Sequence, residues 1–214
     1  MSEYLAITID RQYGSGGREI GVRLGELLGM KVYDEELITL AAEKKGLPAD
    51  YLQKVDEKAT HSLLYSIAMG TSMHRTQVPG IEMPINDRLF ITQSQIIKEA
   101  IAEGPAIFIG RCADYVLRRH EKALNIFVYS DFEQRVSRIA EEYAISRKEA
   151  ELKINKTDKQ RVSYYNFYTG RKWGKPENYH FCVNSAVLGV DGTAKMLAEA
   201  ARVFAAQSGD DVGN

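Results

Sequence analysis

Cysteine is almost missing from this chain. The 214 residues hold two, Cys112 and Cys182, with neither the spacing of a metal site nor the number of a disulfide framework, which suits a reducing cytoplasm. The four histidines (His61, His74, His120 and His180) show no metal spacing either and default to structural roles. An excess of one charge is missing too. Twenty-eight basic residues face twenty-nine acidic ones, a net charge of -1. That near balance excludes a global pull toward nucleic acid or an anionic membrane, while leaving room for a local basic cleft. No apolar run approaches the ~18 residues of a membrane helix. Met1-Ser2-Glu3 leads directly into a strand-like segment without a basic leader. There is no internal repeat and no low-complexity linker. The expectation is a soluble cytoplasmic protein, monomeric or homodimeric. At 44% hydrophobic and 27% charged residues, the chain has the composition and length of one α/β-sized globular domain.

The local patterns alternate between two periods. Leu5-Ala6-Ile7-Thr8-Ile9 is a short, mostly apolar, β-branched run ended by Asp10 and a glycine cluster, and it predicts a buried strand. Ile20, Leu24, Leu27 and Leu28 then recur at helical spacing until Gly29. Met30 to Tyr33 predicts a second strand, stopping at Asp34. From Glu35 to about Glu103 the pattern is helical, with Pro48 placed to open a helix and a loop over Gly70–Asn86. Ala106-Ile107-Phe108-Ile109, closed by Gly110-Arg111, predicts a third strand, and Leu124 to Tyr129 a fourth. Ser130 with Glu133 and Ser146 with Glu149 each have the spacing of a capping box. The second should start a long polar helix toward Lys159. Phe181-Cys182-Val183 is a last strand candidate, followed by a helix from about Gly192 to Ala206. Arg118-Arg119-His120 put cations near the end of the helix expected after the third strand, where the dipole's negative pole lies.

Buried strands alternating with amphipathic helices predict a parallel β-sheet flanked by helices. Ligands of such sheets bind beyond the carboxyl ends of the strands, where Asp10–Arg18, Asp34 and Gly110-Arg111 all fall. Between the first strand and first helix stand Arg11, Gly14, Ser15, Gly16, Gly17, Arg18 and Glu19. Small residues there let successive amide N–H groups converge on an anion, and the helix N-terminus adds its dipole. The usual phosphate-binding loop continues with Lys-Ser or Lys-Thr. Here Gly17 takes the lysine's place and Arg18 that of the magnesium-binding hydroxyl. Arg18 or Arg11 could supply the charge, but neither can act as that metal ligand. A dinucleotide fingerprint is the rival reading, through Gly14-x-Gly16 and Asp34. Against it, Glu19 stands where the third glycine is needed for close packing.

The order of motifs resembles that of bacterial cytidylate kinases, members of the P-loop nucleoside-monophosphate kinases. Ile7-Thr8-Ile9-Asp10 leading into Gly14-Ser15-Gly16 resembles their start, Gly110-Arg111 their Gly-Arg-Asp motif, and Asp158-x-x-Arg161 the Asp-x-x-Arg of their lid. Tyr179–Leu188 is similar to the strand and turn that follow. Gly14–Gly21, Arg111–Asp114 and Tyr164–Gly174 look more like the cytidylate-kinase-like subgroup, in which the lysine is habitually absent. The resemblance implies one kinase-like domain with a core over 1–34 and 104–207, a helical acceptor-binding insertion over about 35–103 and a lid over about 146–175. It also implies phosphoryl transfer from a nucleoside triphosphate, expected to be ATP, to a nucleoside monophosphate or other small phosphorylated acceptor. Magnesium would be required, without the usual loop hydroxyl. Arg18, Asp158 and Arg161 would then serve catalysis, and Asp34, Arg111 and Asp114 the acceptor side.

This sequence departs from the family pattern in three places. Cys112 replaces the aspartate of Gly-Arg-Asp, and Asp114, two positions on, could replace its carboxylate or simply favour a helix start. Asp34-Glu35-Glu36-Leu37 stands where an acceptor-phosphate arginine is expected. Neither Lys153 nor Ile154 reproduces the first lid arginine, leaving Lys156 as a substitute. The aromatic and basic stretch Tyr164–Gly174 could stack a base or pack the lid on the core. No metal site and no specific nucleic-acid binding are expected. The alternative to an enzyme is a non-catalytic nucleotide- or phosphometabolite-binding regulator, which Gly17 favours.

Overall fold

Isoleucines dominate the central strands because both faces of the sheet are covered. The computed structural model describes residues 4–34, 39 and 85–207. Strands β1 (Ala6–Arg11), β2 (Lys31–Tyr33), β3 (Ala106–Ile109), β4 (Ala123–Tyr129) and β5 (Phe181–Asn184) form one sheet in the order β2-β3-β1-β4-β5. Every neighbouring pair is parallel, with Ile7 of the central strand between Ile107 and Leu124. The helices bounded within the described residues are α1 (Gly17–Leu28), α2 (Ile85–Glu103), α3 (Ala113–Val116), α4 (Phe132–Tyr143), α5 (Arg147–Thr169) and α6 (Ser185–Gln207). A 3-10 turn at Pro176–Asn178 precedes β5.

The strands' period of two sorts side chains between two cores. Ile107 and Ile109 of β3 join Ile7, Ile9 and the α1 residues Ile20 and Leu24. Ala194, Leu197, Ala198 and Ala201 of α6 complete that layer. Ala106 and Phe108 face the other way, onto Ile97, Ala100 and Ile101 of α2 and Ala113 and Leu117 around α3. Each fully buried isoleucine or phenylalanine contributes about 1.5–3 kcal/mol of apolar transfer. A third, smaller cluster joins α4 to α5 through Val136, Ile139, Ala150 and Ile154, with Tyr13 from the loop after β1 packed against it.

Several expected boundaries move. Asp10 lies inside β1, buried, and the strand runs one residue further. Helix α1 does end at Gly29, in the left-handed conformation. Of the expected helical stretch 35–103 and the loop Gly70–Asn86, residues 35–38 and 40–84 lie outside the described ones, as do His61 and His74. Ile85 and Asn86 belong to α2 rather than to a loop. The Ser130/Glu133 capping box does not form. Asp131 is the N-cap of α4, without a side-chain cap bond, because Ser130 donates its N–H to Gln12 Oε1 (3.2 Å) and Glu133 turns to Arg147. The Ser146/Glu149 box does form. Helix α5 continues ten residues beyond Lys159, to Thr169, because its last turns bury Tyr165 and Tyr168. Helix α3 is a single turn ending before Arg118, whose Nη1 donates to Tyr115 O (2.8 Å) at that helix end. Helix α6 starts at Ser185, and a non-helical Gly189 breaks it before the predicted segment. No helix among the described residues is long and apolar enough to cross a membrane.

Candidate phosphate-binding site

The loop after β1 follows from the need to satisfy backbone groups while turning into a helix. Gln12 N–H donates to Val128 O (3.0 Å), and Ser15 Oγ donates to Gln12 O (2.8 Å). Ser185 Oγ, at the start of α6, donates to Ser15 O (2.6 Å). Gly14 (φ 79°) and Gly16 (φ 76°) are left-handed, a conformation that side chains resist. Gly16 caps α1 without a side-chain bond. The first-turn amides of Gly17, Arg18 and Glu19 therefore have no intrahelical acceptor and present the positive pole of the helix.

Cations surround this loop. Arg11 lies along it: a Cβ on Gly17 would overlap Arg11 Cβ and fall 2.9 Å from Cγ, and a Cβ on Gly110 would overlap Nη1. Arg138 of α4 lies with Nη1 3.2 Å from where a Gly16 Cβ would stand, and it pairs with Glu19. Arg161 Nη1 donates to Arg11 O (2.8 Å), and its guanidinium lies 5.6 Å from the Tyr13 ring centre. Asp158, one turn earlier on α5, accepts from Tyr13 N (2.8 Å) and from Arg135 Nη1 (2.6 Å), while Arg135 also donates to Tyr13 O. Asp158 thus anchors α4 and α5 to the loop.

The end of β3 forms the second wall. Gly110, Arg111 and Cys112 are all left-handed (φ 75°, 56° and 55°), a tight reversal that delivers Asp114 into the interior and Arg111 5.8 Å from the Tyr164 ring centre. Asp114 (3% exposed) accepts from Tyr165 Oη at 2.6 Å, and Asp10 (7% exposed) accepts from Tyr179 Oη at 2.9 Å. Burial pushes the Asp114 carboxyl up to about 7, and the nearby Asp10 charge adds to this against the Tyr165 hydrogen bond. Burial likewise raises Asp10, although Tyr179, Arg11 and Arg161 pull it down. Burial, then the two aspartates, hold the Cys112 thiol well above its ordinary value.

The structure therefore brings Arg11, the loop Gly14–Glu19, Asp158 and Arg161 together, with Arg111 and Asp114 at the adjoining strand end. Arg18 and Asp34 are drawn to each other instead, with Arg18 Nε and Nη2 donating to Asp34 Oδ2 at 3.0 and 2.7 Å on the β2 side. Sequence reasoning missed Arg135 and Arg138. Their spacing of three on the helix after β4 is visible, but nothing local says that this helix faces the loop. It missed the tyrosine partners of Asp10 and Asp114 for the same reason. Phe90 of α2 stacks on Tyr168 of α5 and meets Tyr164 edge-on, and Trp173 packs edge-on against Phe127, so the aromatic stretch packs protein on protein. His180 Nδ1 accepts from Asn125 N, and His120 Nε2 bonds Tyr4 O.

Among the described residues a magnesium ion finds no ready set of ligands. Among the described residues no cluster of three His, Cys, Asp or Glu side chains could hold a metal. Asp10 and Asp114 are buried on tyrosines and Asp34 is held by Arg18. These residues do not fit a protein-ligated magnesium.

The model of the cytidylate kinase-like family matches residues 6–187. No curated protein matches the chain by sequence. Among solved structures, the fold is similar to an uncharacterized protein from Eubacterium ventriosum (TM-score 0.67, 23% identity, covering 92% of this chain and 98% of that one). It is also similar to a gluconokinase from Sinorhizobium meliloti (TM-score 0.54, 13% identity, 97% and 99% covered). At such identities the likeness is one of fold.

Proposed function

Because the chain belongs to the cytidylate kinase-like family, we propose that it transfers a phosphoryl group from a nucleoside triphosphate to a nucleoside monophosphate or another small phosphorylated acceptor. The observation that carries this reading is the uncapped N-terminus of α1, fronted by the Gly14–Gly16 loop and flanked by arginines from separate elements. Phosphoryl transfer needs little covalent help from protein. It needs donor and acceptor in line and cations around the oxygens that carry the charge. In this reading the amides of Gly14–Glu19 receive the donor phosphates, Arg161 reaches them from α5, and Arg111 holds the acceptor's phosphate. A guanidinium suits each task because its fork matches two phosphate oxygens at once. Asp158 positions the loop rather than reacting, and Asp114 shapes the acceptor side from beneath Arg111. Arg18 and Asp34 set the rim beside β2. Magnesium would arrive with the triphosphate, held by its oxygens and water.

The test is release of ADP from ATP and magnesium in the presence of a panel of nucleoside and small-metabolite monophosphates. Turnover well above the acceptor-free rate with at least one member is expected. Micromolar ATP binding with no acceptor-dependent turnover would replace the kinase by a nucleotide-binding regulator, the reading that Gly17 in the lysine's place favours.

A further inference from the structure

Two glycines bracket the side chain of Arg11. Gly17 lies under its stem, so that a Cβ there would overlap Arg11 Cβ, an atom fixed by the β1 backbone, and would also press on Val128 Cβ at 3.3 Å. Gly110 lies under its guanidinium. The place from which a phosphate loop's lysine would rise is thus already filled, by a cation approaching from the strand side of the same loop. The absence of lysine and the presence of arginine six residues earlier are one steric arrangement.

We propose that Arg11 is the loop's phosphate cation and that it replaces the missing lysine by occupying that residue's volume, with Gly17 and Gly110 kept small to let it through. The inference rests on the phosphotransferase reading and deepens it, naming the group that meets the donor's terminal phosphates. Three further observations support it. Arg161 grips the Arg11 carbonyl, so the backbone that carries the guanidinium is held at the mouth of the loop. Asp10, the neighbouring carboxylate, is buried and accepts from Tyr179 Oη at 2.9 Å. Arg18, the other candidate, is mostly exposed and engaged with Asp34 through two of its nitrogens.

Calorimetric titration with ATP decides the matter, using wild type, Arg11→Lys, Arg11→Gln, Arg11→Gly, Gly17→Lys and the exchanged pair Arg11→Gly with Gly17→Lys, each checked by thermal melting. Glutamine keeps the stem over Gly17 and removes the charge, so a packing role would be satisfied by it as well as by lysine. ATP binding is expected to weaken about 10- to 100-fold in Arg11→Gln, the range of a lost charge-assisted contact, and to stay within about fivefold of wild type in Arg11→Lys. Gly17→Lys alone should melt below wild type, and the exchanged pair should recover both the melt and ATP binding relative to Gly17→Lys. No ATP binding by wild type would remove the phosphotransferase reading and this inference with it. Binding by wild type that Arg11→Gln equals would remove only the role of Arg11. If Arg11→Gln does not fold, the exchanged pair decides, and binding no better than that of Arg11→Gly overturns the assignment. Gly17→Lys melting as wild type would overturn the steric part.

Discussion

At the scale of single residues, the most consequential groups are buried acids that ordinary hydropathy would place outside. Asp114 ionises freely in an unfolded chain at about 4 but is held protonated up to about 7 by burial and by Asp10. Between those values the folded protein binds the extra proton, so stability is fully present below about pH 4 and falls as pH rises through 7. Asp10, raised in the same direction, contributes with the same sign. Urea midpoints from pH 4 to 8 should therefore decline for wild type at up to ~1.4 kcal/mol per pH unit for one such group. Asp114→Asn should make the decline shallower, and an unchanged slope would show that the carboxyl titrates normally. Asp158 matters through its contacts. It joins Arg135, 8% exposed, to the Tyr13 amide, and Asp158→Ala leaves that guanidinium buried without its carboxylate. A loss of about 3–5 kcal/mol is expected in chemical denaturation, and a loss below ~1 kcal/mol would make the contact peripheral.

Among the elements, the α4–α5 pair decides how the loop after β1 is covered. Its helices meet through four buried aliphatic residues and Tyr13, and α5 starts on a complete capping box. Ser146→Ala should cost about 1 kcal/mol, read as a lowered melting temperature, because the Glu149 amide loses its acceptor. Ile154→Ala, which hollows the centre of the cluster, should cost about 2–5 kcal/mol. It should also raise hydrogen exchange at the Tyr13 amide, which Asp158 on the same helix holds. Loss of stability with Tyr13 exchange unaltered would separate the cluster from the loop.

Over the whole molecule, one parallel sheet carries two independent cores, and Phe108 belongs to the layer under α2 while Ile107 belongs to that under α1. Substituting either with alanine should destabilise by several kcal/mol, about 3–5 for Phe108 and 2–5 for Ile107. The two losses should add within about 0.5 kcal/mol if the layers are independent. Strong non-additivity in urea titrations would show that the sheet transmits repacking from one face to the other.

The strands, the glycine loop and the Ser146 cap were legible from the amino-acid order because each depends on neighbours a few residues apart. Periodicity marks a strand, left-handed glycines mark a turn, and a serine three residues before a glutamate marks a helix start. The alternation of strand and helix sufficed for a parallel sheet, since crossovers leave few other ways to bury those faces. Partnership across long separations was not legible. Ser130 lost its cap to a bond with Gln12, 118 positions away, and Asp158 met Tyr13 across 145. Arg18 turned from the loop to Asp34, and Arg11 lies against Gly17 from the strand side. Local order fixes what each segment can become, because backbone sterics act over a few residues. Which charges meet, and which are buried together, is settled only when the sheet brings distant strand ends to one edge.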